Sequence, residues 1–155
     1  MKRKGRDWTM GETFLREDGR CQKDVAICIA TCRRPEELKR LLMGIRRALT
    51  DDARYKVVVV DNDANGSARH VAEEAEKWLP CELVYVIEER PGIPFARNTS
   101  VLNAGPVDFV AFIDDDEEPE TQWISELLKT QEEYSADVVA GTVVPEFEER
   151  APLWA

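Results

Sequence analysis

Short runs of Val and Ile alternate along this chain with stretches whose apolar residues recur at helical spacing, and that alternation restricts the fold more than any other feature. The apolar runs at 25–30 (VAICIA), 57–60 (VVVV), 83–87 (LVYVI), 107–113 (VDFVAFI) and 138–144 (VVAGTVV) read as five strands. After the first run comes Pro35, suited to a first helical position, with Glu36 and Glu37 where a helix N-terminus favours negative charge. Leu38, Leu41, Leu42, Ile45 and Leu49 then form one apolar stripe. Ala68, Val71, Ala72, Ala75 and Leu79 form a second stripe, closed by Pro80. A weaker helical pattern covers 92–103, and Pro119 is expected to open a fourth helix with Trp123, Ile124, Leu127, Leu128 and Tyr134 on its apolar side. Aliphatic strands alternating with helices predict an α/β fold of three layers, α/β/α and Rossmann-like, around a mostly parallel sheet. In such sheets ligands bind at the carboxyl ends of the strands, where the strand order reverses.

At 155 residues the chain accommodates one domain, expected over 24–155, behind a polar, unpatterned extension over 1–23. A net charge of −10 argues against nucleic acid as a partner. It also means that an anionic substrate needs local help from a cation or a helix N-terminus. No apolar run approaches the roughly 20 residues that span a bilayer. The basic start Met1-Lys2-Arg3-Lys4 is not followed by the apolar stretch of a secretory signal, so the protein is expected in the cytoplasm. Cys21, Cys28, Cys32 and Cys81 include no CxxC pair and read as reduced thiols rather than a zinc or disulfide framework.

Three motifs fall at the predicted ligand edge. Asp114-Asp115-Asp116-Glu117-Glu118 directly follows the fourth apolar run. Adjacent carboxylates repel, so the cluster needs either solvent or a hard cation such as Mg²⁺ or Mn²⁺; a solvated loop capping the next helix is the alternative. Asp61-Asn62-Asp63 follows the second run, where an Asp can accept from a base imide N–H or simply shape a turn. In Arg90-Pro91-Gly92-Ile93-Pro94-Phe95-Ala96-Arg97-Asn98, the guanidinium of Arg97 can reach phosphate oxygens from the first turns of a helix, or stand in solvent. The single His70 lies on the polar side of a predicted helix, so no Ser-His-Asp or Cys-His pairing suggests itself.

Taken together, the Thr-x-Arg and Pro-led helix after the first strand, then VVVVDND, GIPFARN and FIDDD, closely resemble the family 2 glycosyltransferases of GT-A fold, and among them bacterial exopolysaccharide (succinoglycan-type) enzymes. The resemblance runs from about Val25 to the C-terminus. It implies that Thr31 and Arg33 hold the nucleotide base, that Asp61 (and more weakly Asp63) contacts the base imide, and that Arg97 approaches the nucleotide. It maps the family's D-x-D onto Asp114-Asp115-Asp116, with Asp115 near the ribose, Asp116 the principal ligand of Mg²⁺ or Mn²⁺, and Asp114 assisting. It further implies an inverting transfer from a nucleotide-diphosphate sugar, a UDP-sugar in the first instance, to a saccharide or lipid-linked acceptor, with peripheral contact at the inner face of the membrane.

The pattern departs from the family at its end. Family members carry the catalytic base further along, and none of Glu146, Glu148 and Glu149 matches it, so the base is expected beyond Ala155 and the domain is expected to be incomplete at its C-terminus. The alternative is a nucleotide-sugar-binding module without chemistry of its own. A nucleotidyltransferase would need glycines that TCRRPEEL lacks, and a receiver-type domain an acceptor Asp where Ile87-Glu88 stands. A fifth strand without its usual neighbours predicts self-association through an exposed sheet edge.

Overall fold

The computed structural model describes residues 22–146. All but the last two positions of the expected extension over 1–23 lie outside those residues, as do Glu148 and Glu149. The elements run β1 (Lys23–Thr31), α1 (Pro35–Ala48), β2 (Ala53–Asp61), α2 (Arg69–Ala75), β3 (Glu82–Ile87), α3 (Ile93–Ala104), β4 (Phe109–Phe112) and α4 (Trp123–Tyr134). The four strands form one sheet in the order β3-β2-β1-β4, and every pairing is parallel.

Chain direction and handedness together fix the layers. From β1 through β2 to β3 the chain steps twice the same way across the sheet, then returns past β1 to reach β4. Right-handed crossovers place the helices of the first two steps on one face and the helix of the return step on the other. Val25, Ile27, Ile29, Val57 and Val59 accordingly point at Leu38, Leu41, Leu42 and Ile45 of α1, Val71 of α2 and Ile124 of α4. The opposite faces of the same strands, Ala26, Cys28, Val58 and Val60, meet Ala96 and Ala104 of α3. Both faces of β1 and β2 are thus covered, which is why their sequences are continuous apolar runs rather than alternating ones. Each fully buried Leu or Ile of this core contributes about 1.5–3 kcal/mol. The side of α3 that packs on the sheet is made of Ala96, Thr99, Ser100 and Ala104, small residues that give a helical pattern little apolar contrast.

Two expectations are corrected. Residues 138–144 do not form a fifth strand: they are unpaired, with Val138, Val143 and Val144 exposed by 85%, 71% and 79%. β-propensity is realised only through a pairing neighbour, and among the described residues β4 pairs with β1 alone. Pro119 does not open the fourth helix, which starts at Trp123; its ring packs against Gly44 of α1 instead. Among the described residues no helix is long and apolar enough to cross a membrane.

Candidate functional site

The strand order reverses between β1 and β4, and the carboxyl ends of those strands border an open cleft of about 380 Å³. Thr31 and Cys32 at the end of β1, Arg34 and Asn62 line one side; Ile93 and Ala96 of α3 and Asp114 to Asp116 line the rest.

Register explains how the acidic run meets β1. Cys28 pairs with Phe112, so three residues further along each chain Thr31 and Asp115 stand opposite one another. Thr31 Oγ1 donates to Asp115 Oδ2 at 2.8 Å in a buried contact. Arg34 Nη1 donates to Asp115 Oδ1 at 3.3 Å and to Asp116 Oδ2 at 2.8 Å. On the other side Arg97 Nη2 donates to Asp114 Oδ1 at 3.0 Å, and its guanidinium lies 5.7 Å from the centre of the Phe112 ring. The run therefore alternates: the Asp115 side chain is 9% exposed, while those of Asp114 and Asp116 are 55% and 58% exposed. Burial pushes the Asp115 carboxyl up, against the opposing pulls of the Thr31 hydroxyl and the Arg34 guanidinium. Contact with Asp116, then the field of Asp115, holds Arg34 firmly protonated.

Asp61 and Asp63 are not brought to the cleft. Asp61 has no exposed surface; its Oδ1 accepts from the N–H of Asp63 at 3.1 Å, and its Oδ2 from the N–H of Ala68 and the hydroxyl of Tyr85, both at 2.8 Å. A carboxylate so enclosed pins the turn between β2 and α2. Burial, then the contact with Asp61, pushes the Tyr85 phenol up, so it remains a donor. Asp63 accepts from the N–H and side-chain amide of Asn65 at 3.3 and 3.2 Å, and the backbone contact is the main cause that lowers its carboxyl. Arg33 is exposed, holds a left-handed backbone at φ 57°, and acts on Asp63 rather than lining the cleft.

The residue between the two aspartates is the one that reaches the cleft. Asn62 Nδ2 donates to the carbonyls of Glu88 and Arg90 at 2.7 Å each, and its Oδ1 accepts from the N–H of Gly92 at 2.8 Å. Gly92 sits at φ 126°, a conformation that favours glycine, at the start of α3. Period-two alternation after VVVV is the signal that separates Asn62 from its buried neighbours. Arg34, immediately before Pro35 at the start of α1, lines the cleft where Arg33 does not.

Three carboxylates and two arginines at a switch point suit binding of a phosphorylated ligand with a cation. Among the described residues no group of three His, Cys, Asp or Glu side chains converges on one point. A Mg²⁺ or Mn²⁺ site needs fewer, because one or two carboxylates plus substrate phosphates complete it. The exposed Asp114 and Asp116 offer such oxygens, and the half-exposed Arg34 bridging Asp115 and Asp116 shows that this spot already attracts positive charge.

The family model for glycosyl transferase family 2 matches residues 26–155. The chain is 36% identical over 131 residues to the succinoglycan biosynthesis protein ExoM of Rhizobium meliloti (strain 1021), covering 84% of this chain and 41% of that protein. It is 24% identical over 119 residues to the glycosyltransferase AglE of Haloferax volcanii, covering 77% and 39%. It thus spans about two fifths of the length of these relatives. Among solved structures, S. aureus TarS 1–349 in complex with UDP superposes with a TM-score of 0.65 at 22% identity, covering 81% of this chain and 40% of that one. The mannosyltransferase PcManGT of Pyrobaculum calidifontis, in complex with GDP-Man and Mn²⁺, gives 0.61 at 21% identity, covering 83% and 36%. These structures show the shared fold.

Proposed function

The chain belongs to glycosyl transferase family 2, and from that we propose that residues 24–155 are the donor-binding part of an enzyme that moves a sugar from a nucleotide diphosphate to a saccharide or lipid-linked acceptor in exopolysaccharide or cell-surface glycan synthesis. The observation that carries this is the acid run at the switch point, locked to β1 through Thr31–Asp115 and flanked by Arg34 and Arg97. The donor's diphosphate lies along Arg97 and the exposed edge of Asp114 and Asp116, and its nucleoside lies toward Thr31 and Asn62. Asp116, assisted by Asp114, would hold Mg²⁺ or Mn²⁺, which supplies charge neutralisation to the departing diphosphate. Buried Asp115 keeps the loop in place from beneath, facing the ribose. A UDP-sugar is the first donor to test, since TarS structures contain UDP and UDP-GlcNAc, with GDP-mannose of PcManGT as the comparison.

Transfer with inversion requires a carboxylate base that takes the acceptor's hydroxyl proton as the oxygen attacks the anomeric carbon from the face opposite the diphosphate. We assign that base to a part of the full-length protein outside the described residues. On this reading the enzyme works in the cytoplasm at the inner face of the membrane, where nucleotide sugars meet lipid-linked acceptors.

Thermal unfolding with UDP, GDP and dTDP, each with and without Mn²⁺, tests the reading. A ligand at about a hundred times its dissociation constant stabilises the fold by roughly 2.7 kcal/mol. The expected result is a Mn²⁺-dependent rise in midpoint with one nucleotide, abolished in Asp116→Ala. No rise with any of the three removes the donor site and leaves only the fold.

A further inference from the structure

We infer that Arg34 is a built-in counter-cation of the cleft: it neutralises the Asp115–Asp116 pair until a divalent cation held by Asp116 would take over that charge, and the freed guanidinium would then pair with the donor's diphosphate. This rests on the donor-site reading above.

The geometry is that of one nitrogen shared between adjacent carboxylates. Arg34 Nη1 lies 2.8 Å from Asp116 Oδ2 and 3.3 Å from Asp115 Oδ1. Asp115 cannot follow Arg34 outward, because its second oxygen is held by Thr31 Oγ1 at 2.8 Å in the interior. Arg34 can leave: its side chain is 51% exposed, and it makes no capping hydrogen bond at the start of α1, where it stands. The remaining acid, Asp114, has its own cation in Arg97 at 3.0 Å. Three carboxylates against two guanidiniums leave the cleft slightly negative, attractive to a dication yet already mostly neutralised.

Two consequences follow from this charge arithmetic. A dication arriving alone must displace Arg34 and leave its guanidinium without a partner, so it binds weakly. A dication arriving with a diphosphate supplies that partner, so cation and nucleotide strengthen one another. By linkage the strengthening is equal in both directions, and coupling of this kind typically amounts to about 5- to 150-fold. The device would keep the acidic edge from being filled by a cation when no donor is present.

The test is calorimetric titration of Mn²⁺ into the full chain without nucleotide, then with saturating UDP, for the wild type, Arg34→Gln and Arg34→Lys. Far-UV circular dichroism establishes that each variant is folded. In the absence of nucleotide, Arg34→Gln should bind Mn²⁺ at least about 5-fold tighter than the wild type, and Arg34→Lys should stay close to the wild type. The gain in Mn²⁺ affinity on adding UDP should shrink in Arg34→Gln. Equal or weaker Mn²⁺ binding in Arg34→Gln overturns the inference, as does absence of Mn²⁺ binding to every protein. Should Arg34→Gln fail to fold, Arg34→Lys decides: loss of the UDP-dependent gain despite a retained charge would overturn it. If no nucleotide binds the Mn²⁺-loaded wild type while the difference between variants persists, the donor reading falls and takes the diphosphate pairing with it, and only the competition of Arg34 with the cation stands. If a nucleotide binds but Arg34→Gln changes nothing, the inference alone falls.

Discussion

Glu88, at the end of β3, shows how much of this edge is organised by a single buried carboxylate. It is 7% exposed and accepts from the N–H and Nε of Arg90 at 3.0 and 2.8 Å, from Arg90 Nη2 at 2.7 Å and from Thr99 Oγ1 at 2.5 Å. The Arg90 side chain foremost, then the Thr99 hydroxyl, hold its carboxyl well below the usual carboxylate range. A depressed native pKa means that the contribution to stability is complete above the ordinary value near pH 4.3 and is lost as pH falls toward the lowered one. Glu88→Gln should therefore destabilise the protein at neutral pH and give a shallower loss of stability on the acid side. Urea midpoints of both proteins from pH 7 to pH 2 measure this, and two parallel curves would count against it. Nothing local in Ile87-Glu88-Glu89 marks this residue, since an acid at a strand end reads equally as solvated loop. The acid run 114–116 was legible, because like charges crowded after an apolar strand demand an explanation wherever they point. Which of the three faces inward was not, because that depends on the pairing of Cys28 with Phe112, a contact 84 residues apart in chain order.

The helix α1 and the acidic loop are set against each other at Gly44. A Cβ there would stand 2.9 Å from Cδ and 3.2 Å from Cγ of Pro119, closer than packed carbons approach. Helix propensity alone would make Gly44→Ala favourable by about 1 kcal/mol. The proline ring is rigid and is the neighbour that would have to move, so overpacking prevails and the substitution should cost about 1–3 kcal/mol instead. A lowered unfolding midpoint, together with weaker nucleotide binding as the loop carrying Asp116 shifts, is the expected outcome. An unchanged or raised midpoint would mean that the loop gives way freely. Four of the five expected strands and all four helices were legible, because doubly covered strands must be apolar throughout and one-sided helices must carry a stripe. The starting point of α4 was not, since Pro119 suits a helix start as well as it suits the close contact it makes with Gly44. The stretch 138–144 has strand composition and no partner among the described residues, and composition cannot supply one.

Architecture followed from handedness: once strands and helices alternate, right-handed crossovers leave few ways to order a parallel sheet, and each of them puts its ligands at the carboxyl edge. Tyr134, Val138, Val143 and Val144 are exposed by 71%, 85%, 71% and 79%, in and after α4. Exposed apolar side chains gathered in a segment without a sheet partner among the described residues favour association with other surfaces, including those of a second copy. Sedimentation velocity over a wide concentration range should show self-association of the wild type. It should be reduced when Val138, Val143 and Val144 are all replaced by Ser. Because these side chains contact little, each replacement should change stability by no more than about 0.5 kcal/mol, which separates lost association from lost folding. A wild type that stays monomeric throughout would end this reading of the segment. A serine variant that associates as strongly as the wild type would move the contact elsewhere, to the exposed Leu102 of α3 or Phe112 of β4, at 81% and 46%.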